Sequence, residues 1–216
     1  MLKVEGLQVS IKGFPILRGV TLEIPSGGLV GLVGRNGAGK TTTIKGILGL
    51  VSPTGGSIAL DGKDLIRVPG HKRAQLGIGY MPEDRRLIGV LSVEDNILMP
   101  AWAAGRADDR QRIKYIYEIM PDVPPLAKRR ASALSGGQQK MVALARAVMT
   151  STKLLLLDEP FEGLSPAAGE KFARTIHALQ QEGLAILIAE SDDKRLSFVN
   201  RLYTIERGEI VQPAGA

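Results

Sequence analysis

Gly34-Arg35-Asn36-Gly37-Ala38-Gly39-Lys40-Thr41 anchors the reading of this 216-residue chain. The stretch fits the template G-x-x-x-x-G-K-[ST]. Its glycines let the backbone turn so that successive N–H groups converge on an anion. The start of a helix adds positive potential at the same place. In this chemistry Lys40 is expected to reach the β- and γ-phosphates of a nucleotide, and the hydroxyl of Thr41, followed by Thr42, to ligate Mg²⁺. The competing reading is a glycine turn with an incidental Lys-Thr. The flanks argue against it. Gly28 to Gly34 is an apolar run suited to a strand buried on both faces. A helical pattern runs from Gly39 through Ile44, Ile47 and Leu48, and stops at Val51-Ser52-Pro53.

Phosphate chemistry also needs carboxylates, and Leu154-Leu155-Leu156-Leu157-Asp158-Glu159-Pro160 supplies two. They stand at the carboxyl end of an apolar strand, where open α/β sheets bind ligands. Asp158 is expected to hold Mg²⁺ through water and Glu159 to polarise the attacking water.

Around these segments the hydrophobic period changes twice. Val4, Leu7, Val9 and Ile11, then Thr21, Leu22 and Ile24, read as strands, with Pro25 to Gly28 as a turn. Ser57 to Leu60 and Ile78 to Met81 are further short strands. From Leu91 helical spacing takes over: a first helix behind Ser92, a second through Ile113, Ile116 and Met120, and a third over Ser135 to Met149. Strand and helix then alternate again: Lys153 to Leu157, Ala167 to Gln181, Leu184 to Ala189, Arg201 to Glu206. The expectation is one α/β domain with a parallel sheet: residues 1–89 and 151–216 form the core, and 90–150 a helical lobe. There is no cysteine, so disulfide, thiolate and zinc-thiolate chemistry are excluded. The 28 basic residues against 22 acidic ones suit a phosphorylated ligand, an anionic membrane surface or nucleic acid equally. No apolar run approaches the roughly 20 residues of a membrane span, and the N-terminus has no apolar leader. A cytoplasmic location follows as the expectation.

Leu134-Ser135-Gly136-Gly137-Gln138 opens the third helix. Ser135 can cap it, and the glycines expose backbone N–H groups. A nucleotide in the first cradle does not obviously reach this second one. A second chain's nucleotide is one resolution, and a plain cap is the other.

Phosphate loop, LSGGQ and LLLLDEP, in this order, resemble the nucleotide-binding subunits of ATP-binding cassette (ABC) transporters along essentially the whole chain. The resemblance implies a P-loop NTPase with a RecA-like parallel core, an N-terminal antiparallel β subdomain and an inserted helical lobe. It implies ATP and Mg²⁺, and a head-to-tail dimer, homo- or heteromeric, in which LSGGQ covers the partner's ATP. It also implies integral permease subunits at the inner face of the membrane. Met81 to Arg86 and Ser92 to Asn96 are similar to one branch, the second ATPase of branched-chain and hydrophobic amino-acid uptake systems. Relatives in that branch serve urea or short amides.

This chain departs from the family pattern at three places. Glu83 stands where most members have the glutamine that senses γ-phosphate, and remains a possible Mg²⁺ ligand. Ser191 stands where a switch histidine is expected. Ile11 stands where an aromatic usually stacks on adenine, with Phe14 as a substitute. These changes favour ATP binding over fast hydrolysis and keep open a catalytically weak partner in a heteromeric transporter. A non-transport ABC ATPase acting on nucleic acid or ribosomes is the other alternative. Lys128-Arg129-Arg130 and Arg85-Arg86 read as solvated faces, since few aromatics interleave with them, so no nucleic-acid partner is expected. Trp102 and Met99 suit either a docking surface or a core. His71 and His177 carry no evident role. The resembled branch continues past Pro213 with a short helix that this sequence lacks.

Overall fold

The computed structural model describes residues 1–105 and 109–212. Residues 106–108 of the helical lobe, and Pro213, lie outside the described residues. Two sheets carry the fold. The first is antiparallel, in the order β2 (Phe14–Ile24), β1 (Leu2–Ile11), β4 (Gly55–Leu60), β5 (Lys63–Asp64). The β2 strand starts earlier than its Thr21-Leu22-Ile24 patch suggests. Lys12 and Gly13 both take positive φ and close a two-residue turn, so pairing begins at Ile11 with Phe14.

The second sheet has the order β10 (Glu209–Gln212), β9 (Arg201–Glu206), β3 (Leu29–Val33), β8 (Ala185–Glu190), β7 (Leu154–Asp158), β6 (Ile78–Met81). All run parallel except β10, which pairs antiparallel at one edge. Strands β3, β7 and β8 are buried at every position, which is why each reads as a continuous apolar run rather than an alternation. The sequence analysis does not anticipate β5, β10 or the single-turn helix at Gly70–Arg73.

Helix α1 (Lys40–Leu48) leaves β3 and packs with the antiparallel sheet on one face of the parallel sheet. The short helix α2 (Gly70–Arg73) brings Arg73 to its end. There the guanidinium donates to the carbonyls of Gly46 at 3.0 Å and Ile47 at 2.6 Å. A cation at a helix C-terminus is favourable against the dipole.

The other face is covered by α3 (Val93–Ala103), α4 (Arg110–Ile119), α5 (Gly136–Val148) and α6 (Pro166–Gln181). Each begins on a side-chain cap: Ser92, Asp109, Ser135 and Ser165. Along α6, Phe172, Ile176 and Leu179 are buried at helical spacing, each stabilising the fold by about 1.5–3 kcal/mol. Residues 90–150 share this core with the sheet rather than having one of their own. One antiparallel bridge, Ser92 with Arg130, closes the lobe, so it is not purely helical. Among the described residues no helix is long and apolar enough to cross a membrane.

Candidate functional site

The carboxyl ends of β3, β7 and β8 converge, and the phosphate loop, Asp158, Glu159, Glu83, Ser191 and Ile11 meet there. After Val33 the chain turns through Gly37 and Gly39, both at positive φ, into α1. A Cβ on Gly34 would sit 2.3 Å from the carbonyl of Ile205, so the close approach of β9 itself demands glycine. Helix α1 starts on Gly39 with no side-chain cap and no acidic residue in its first turn. Its leading N–H groups and positive dipole end are therefore available to an anion.

Lys40 is 5% exposed. Its Nζ donates to the carbonyls of Gly34 at 2.7 Å and Arg35 at 3.4 Å and pairs with Glu159 Oε1 at 3.0 Å. Thr41 Oγ1 donates to Asp158 Oδ1 at 3.0 Å, and Tyr80 Oη donates to Asp158 Oδ2 at 3.4 Å. Burial pushes the Asp158 carboxyl upward; the Thr41 hydrogen bond opposes this and the charge of Glu83 adds to it. A cleft of about 360 Å³ is lined by Ile11, Asn36, Lys40, Glu83, Glu159 and Ser191 among others. The structure thus unites the phosphate loop, both acids and both replaced sensor positions. Phe14 does not join them: it is 72% exposed, and Ile16, half-buried on β2, lines the cleft beside Ile11.

Thr41, Asp158 and Glu83 present only oxygen donors. That fits Mg²⁺, which takes one or two carboxylates and completes its shell with water and substrate phosphates.

Glu159 is over-determined. It adopts φ +47°, a left-handed conformation that costs a non-glycine residue about 1–3 kcal/mol. Its N–H donates to Ala189 at 2.9 Å, and its carbonyl accepts from Lys140 Nζ at 2.8 Å. Lys140 is 3% exposed, and burial pulls its pKa down. Oε2 of Glu159 accepts from the Ser191 N–H at 3.2 Å and its Oγ at 3.1 Å. Burial works to raise Glu159, but neighbouring Glu190 and the contacts from Lys40 and Ser191 outweigh it and the net shift is downward. An ionised carboxylate is the form that can accept a proton from water.

Leu134, Ser135, Gly136, Gly137 and Gln138 do not line this cleft. Leu134 is buried. Ser135 and Gln138 close a capping box: Ser135 Oγ accepts the Gln138 N–H, and Gln138 Oε1 accepts the Ser135 N–H. Arg85 and Arg86, next to Glu83, hold successive positive φ values of 61° and 49°. Arg146 of α5 donates to both of their carbonyls, and Arg85 Nη1 donates to Gln139 Oε1 at 2.9 Å. Arg86 is exposed as expected and pairs with exposed Asp84, and Lys128, Arg129 and Arg130 are exposed too, whereas Arg85 is half-buried against α5. Trp102 is 42% exposed on α3 rather than buried, and His71 and His177 are exposed. Sequence reasoning missed Tyr80, Lys140, Ile16 and Glu190.

The family model for ABC transporters matches residues 17–162. The chain is 34% identical over 196 residues to the high-affinity branched-chain amino acid transport ATP-binding protein BraG of Pseudomonas aeruginosa, covering 90% of this chain and 84% of that protein. It is also 34% identical over 213 residues to the lipopolysaccharide export system ATP-binding protein LptB of Escherichia coli K12, covering 97% and 88%. Its fold matches the dimeric post-hydrolysis state of the ATP-binding cassette MJ0796 bound to ADP and Pi. That match has a TM-score of 0.87 and 25% identity, covering 98% of this chain and 97% of the other. Matched this way in family, relatives and fold, the chain belongs to the ABC transporter family as an ATP-binding subunit, an ATPase that works on ATP with Mg²⁺.

Proposed function

We propose that this chain powers an importer of branched-chain or other hydrophobic amino acids, or of related small solutes such as urea or short amides. In this reading it works at the inner face of the membrane, beside integral permease subunits, as a homodimer or with a second ABC ATPase. Lys40 and the backbone of residues 34–42 bind the phosphates of ATP. Thr41, Asp158 and Glu83 would hold Mg²⁺, which would supply neutralising charge to the phosphates. Ile11 and Ile16 give the base an apolar wall. The Leu134–Gln138 segment covers the ATP of the opposite chain.

Glu159 is the general base, and the 3.0 Å pair between Lys40 and Glu159 carries this reading. It couples substrate arrival to the base. Phosphates draw Lys40 away, and the freed carboxylate orients water. A positioned base contributes on the order of 10²–10⁴-fold to a rate. Glu159→Gln is therefore expected to lower turnover at least about a hundredfold while ATP still binds. Undiminished turnover in that variant removes Glu159 from the role.

The solute rests on the Met81–Arg86 and Ser92–Asn96 stretches and on the likeness to BraG. Affinity purification from detergent-solubilised membranes, with mass spectrometry of the co-purifying chains, tests it. Two multi-span permeases and a second ATPase of the amino-acid type support it. Lipopolysaccharide-export subunits, ribosomal proteins or nucleic acid in their place overturn it. The Ser191 hydroxyl, spent on Glu159, favours one variant: a weak hydrolytic member of a heteromeric pair. Hydrolysis by the chain alone against hydrolysis with a co-expressed second ATPase separates the two.

A further inference from the structure

Strand β8 ends on Glu190, whose side chain is fully buried and has no part in the roles above. Oε1 accepts the Phe161 N–H at 2.8 Å. Oε2 is buried and meets no hydrogen-bond donor among the described residues; Arg195 Nη1 stands 3.8 Å from it. Asp158 of β7 stands opposite Ala189 of β8, so Glu159 and Glu190 are neighbours at the carboxyl ends of the paired strands, and each perturbs the other. Two carboxylates this close do not both ionise readily, and burial already disfavours charge on Glu190. Burial drives its pKa upward, the Phe161 N–H opposes this and the neighbouring Glu159 carboxyl adds to it, whereas Glu159 itself is shifted downward. The charged groups that act on this pair are Arg195, Lys140 and Lys40.

We propose that Glu190 is a positioning residue for ATP hydrolysis: one oxygen fixes the Glu159–Phe161 turn and the other orients the Glu159 carboxylate. The inference rests on Glu159 being the base. Two features of the site call for such a residue. The turn is strained at Glu159 and needs anchors on both sides; Ala189 and Lys140 hold Glu159 itself, and Glu190 holds Phe161 two residues on. The cation on Glu159 is also temporary, because ATP competes for Lys40. A hydrogen bond from Glu190 persists when that cation leaves.

The experiment is hydrolysis of MgATP by the full chain, in the assembly in which the parent turns over, for Glu190→Ala, Glu190→Gln and both combined with Glu159→Gln. Glutamine has the shape of a protonated carboxyl: its carbonyl can accept from Phe161 and its amide can donate to Glu159. The expected results are a tenfold or larger fall in kcat for Glu190→Ala, with KM for ATP within threefold, and kcat within threefold of the parent for Glu190→Gln. Glu190→Ala is expected to add nothing to the residual rate of Glu159→Gln. Parental kcat in Glu190→Ala overturns the proposal. So does a change confined to KM, or a folded Glu190→Gln as slow as the alanine variant. If the alanine variant does not fold, Glu190→Gln decides alone. Glu159→Gln by itself reports on the base assignment, so failure of that assignment is read separately.

Discussion

Helices α1 and α5 both have glycine at their starts, and they begin differently. Helix α1 enters through Gly39 at positive φ with no cap, no first-turn acid and Lys40 folded over the loop. Helix α5 enters through Ser135 with a closed capping box. The first start is left uncapped and open to an anion. The second is satisfied within the chain, and what it offers outward is the bare surface of Gly136 and Gly137. The glycines differ accordingly. A Cβ at Gly34 would strike the Ile205 carbonyl, whereas a Cβ at Gly136 meets nothing nearer than 3.7 Å. Glycine at 34 answers to this chain's own fold; glycine at 136 is required by nothing in it.

Lys40→Ala tests the open start most severely. It removes the charge-assisted contacts to phosphate, each about 1.5–3 kcal/mol, so ATP affinity should fall tenfold or more. It also leaves the buried Glu159 without its cation, and stability should drop by about 3–5 kcal/mol. Equilibrium nucleotide binding and denaturant unfolding check both; unchanged affinity would place the phosphates elsewhere.

Gly136→Ala sharpens the contrast. The isolated chain should melt at the parental temperature, because the added methyl has room. Turnover in the assembled dimer should fall about tenfold, since even one lost contact of 1.4 kcal/mol changes a rate by that factor. A melting point lowered by several degrees would mean that the glycine serves its own chain after all.

Ser135→Ala carries the smallest effect. It opens the capping box and should destabilise by about 0.5–2 kcal/mol, read by denaturant unfolding of the chain without nucleotide. No change there would show that the box is not what orders this helix start.

How much of this was legible depends on distance along the chain. The phosphate loop, the buried β3 and β7 runs, the Asp158–Glu159 pair and the Ser135 cap are local patterns, and the structure brings them out where they were read. Glu190 was not singled out, although the logic that nominates Asp158, an acid ending an apolar strand, applies to it equally. What was missing was the strand order: only when β8 lies beside β7 does Glu190 face Glu159. Lys140 and Tyr80 are hidden for the same reason. Each sits in a helix or strand pattern that explains it locally, and its partner lies 19 residues away for Lys140 and 78 for Tyr80. Ile16 was overshadowed by the search for an aromatic. Strand β10 forms on the edge, where pairing with β9 through Arg207-Gly208 outweighs a weak apolar signal.

The grip of Arg146 on the carbonyls of Arg85 and Arg86 has a mechanical consequence. One guanidinium ties the segment that carries Glu83 to the helix that starts at Ser135. In the function proposed above, the residue that senses this chain's own nucleotide and the segment that covers the opposite chain's are thereby bolted to one lever. With two bonds from a single planar fork there is little backlash between them, so a tilt of α5 reaches Glu83 as a tilt rather than as a loosening.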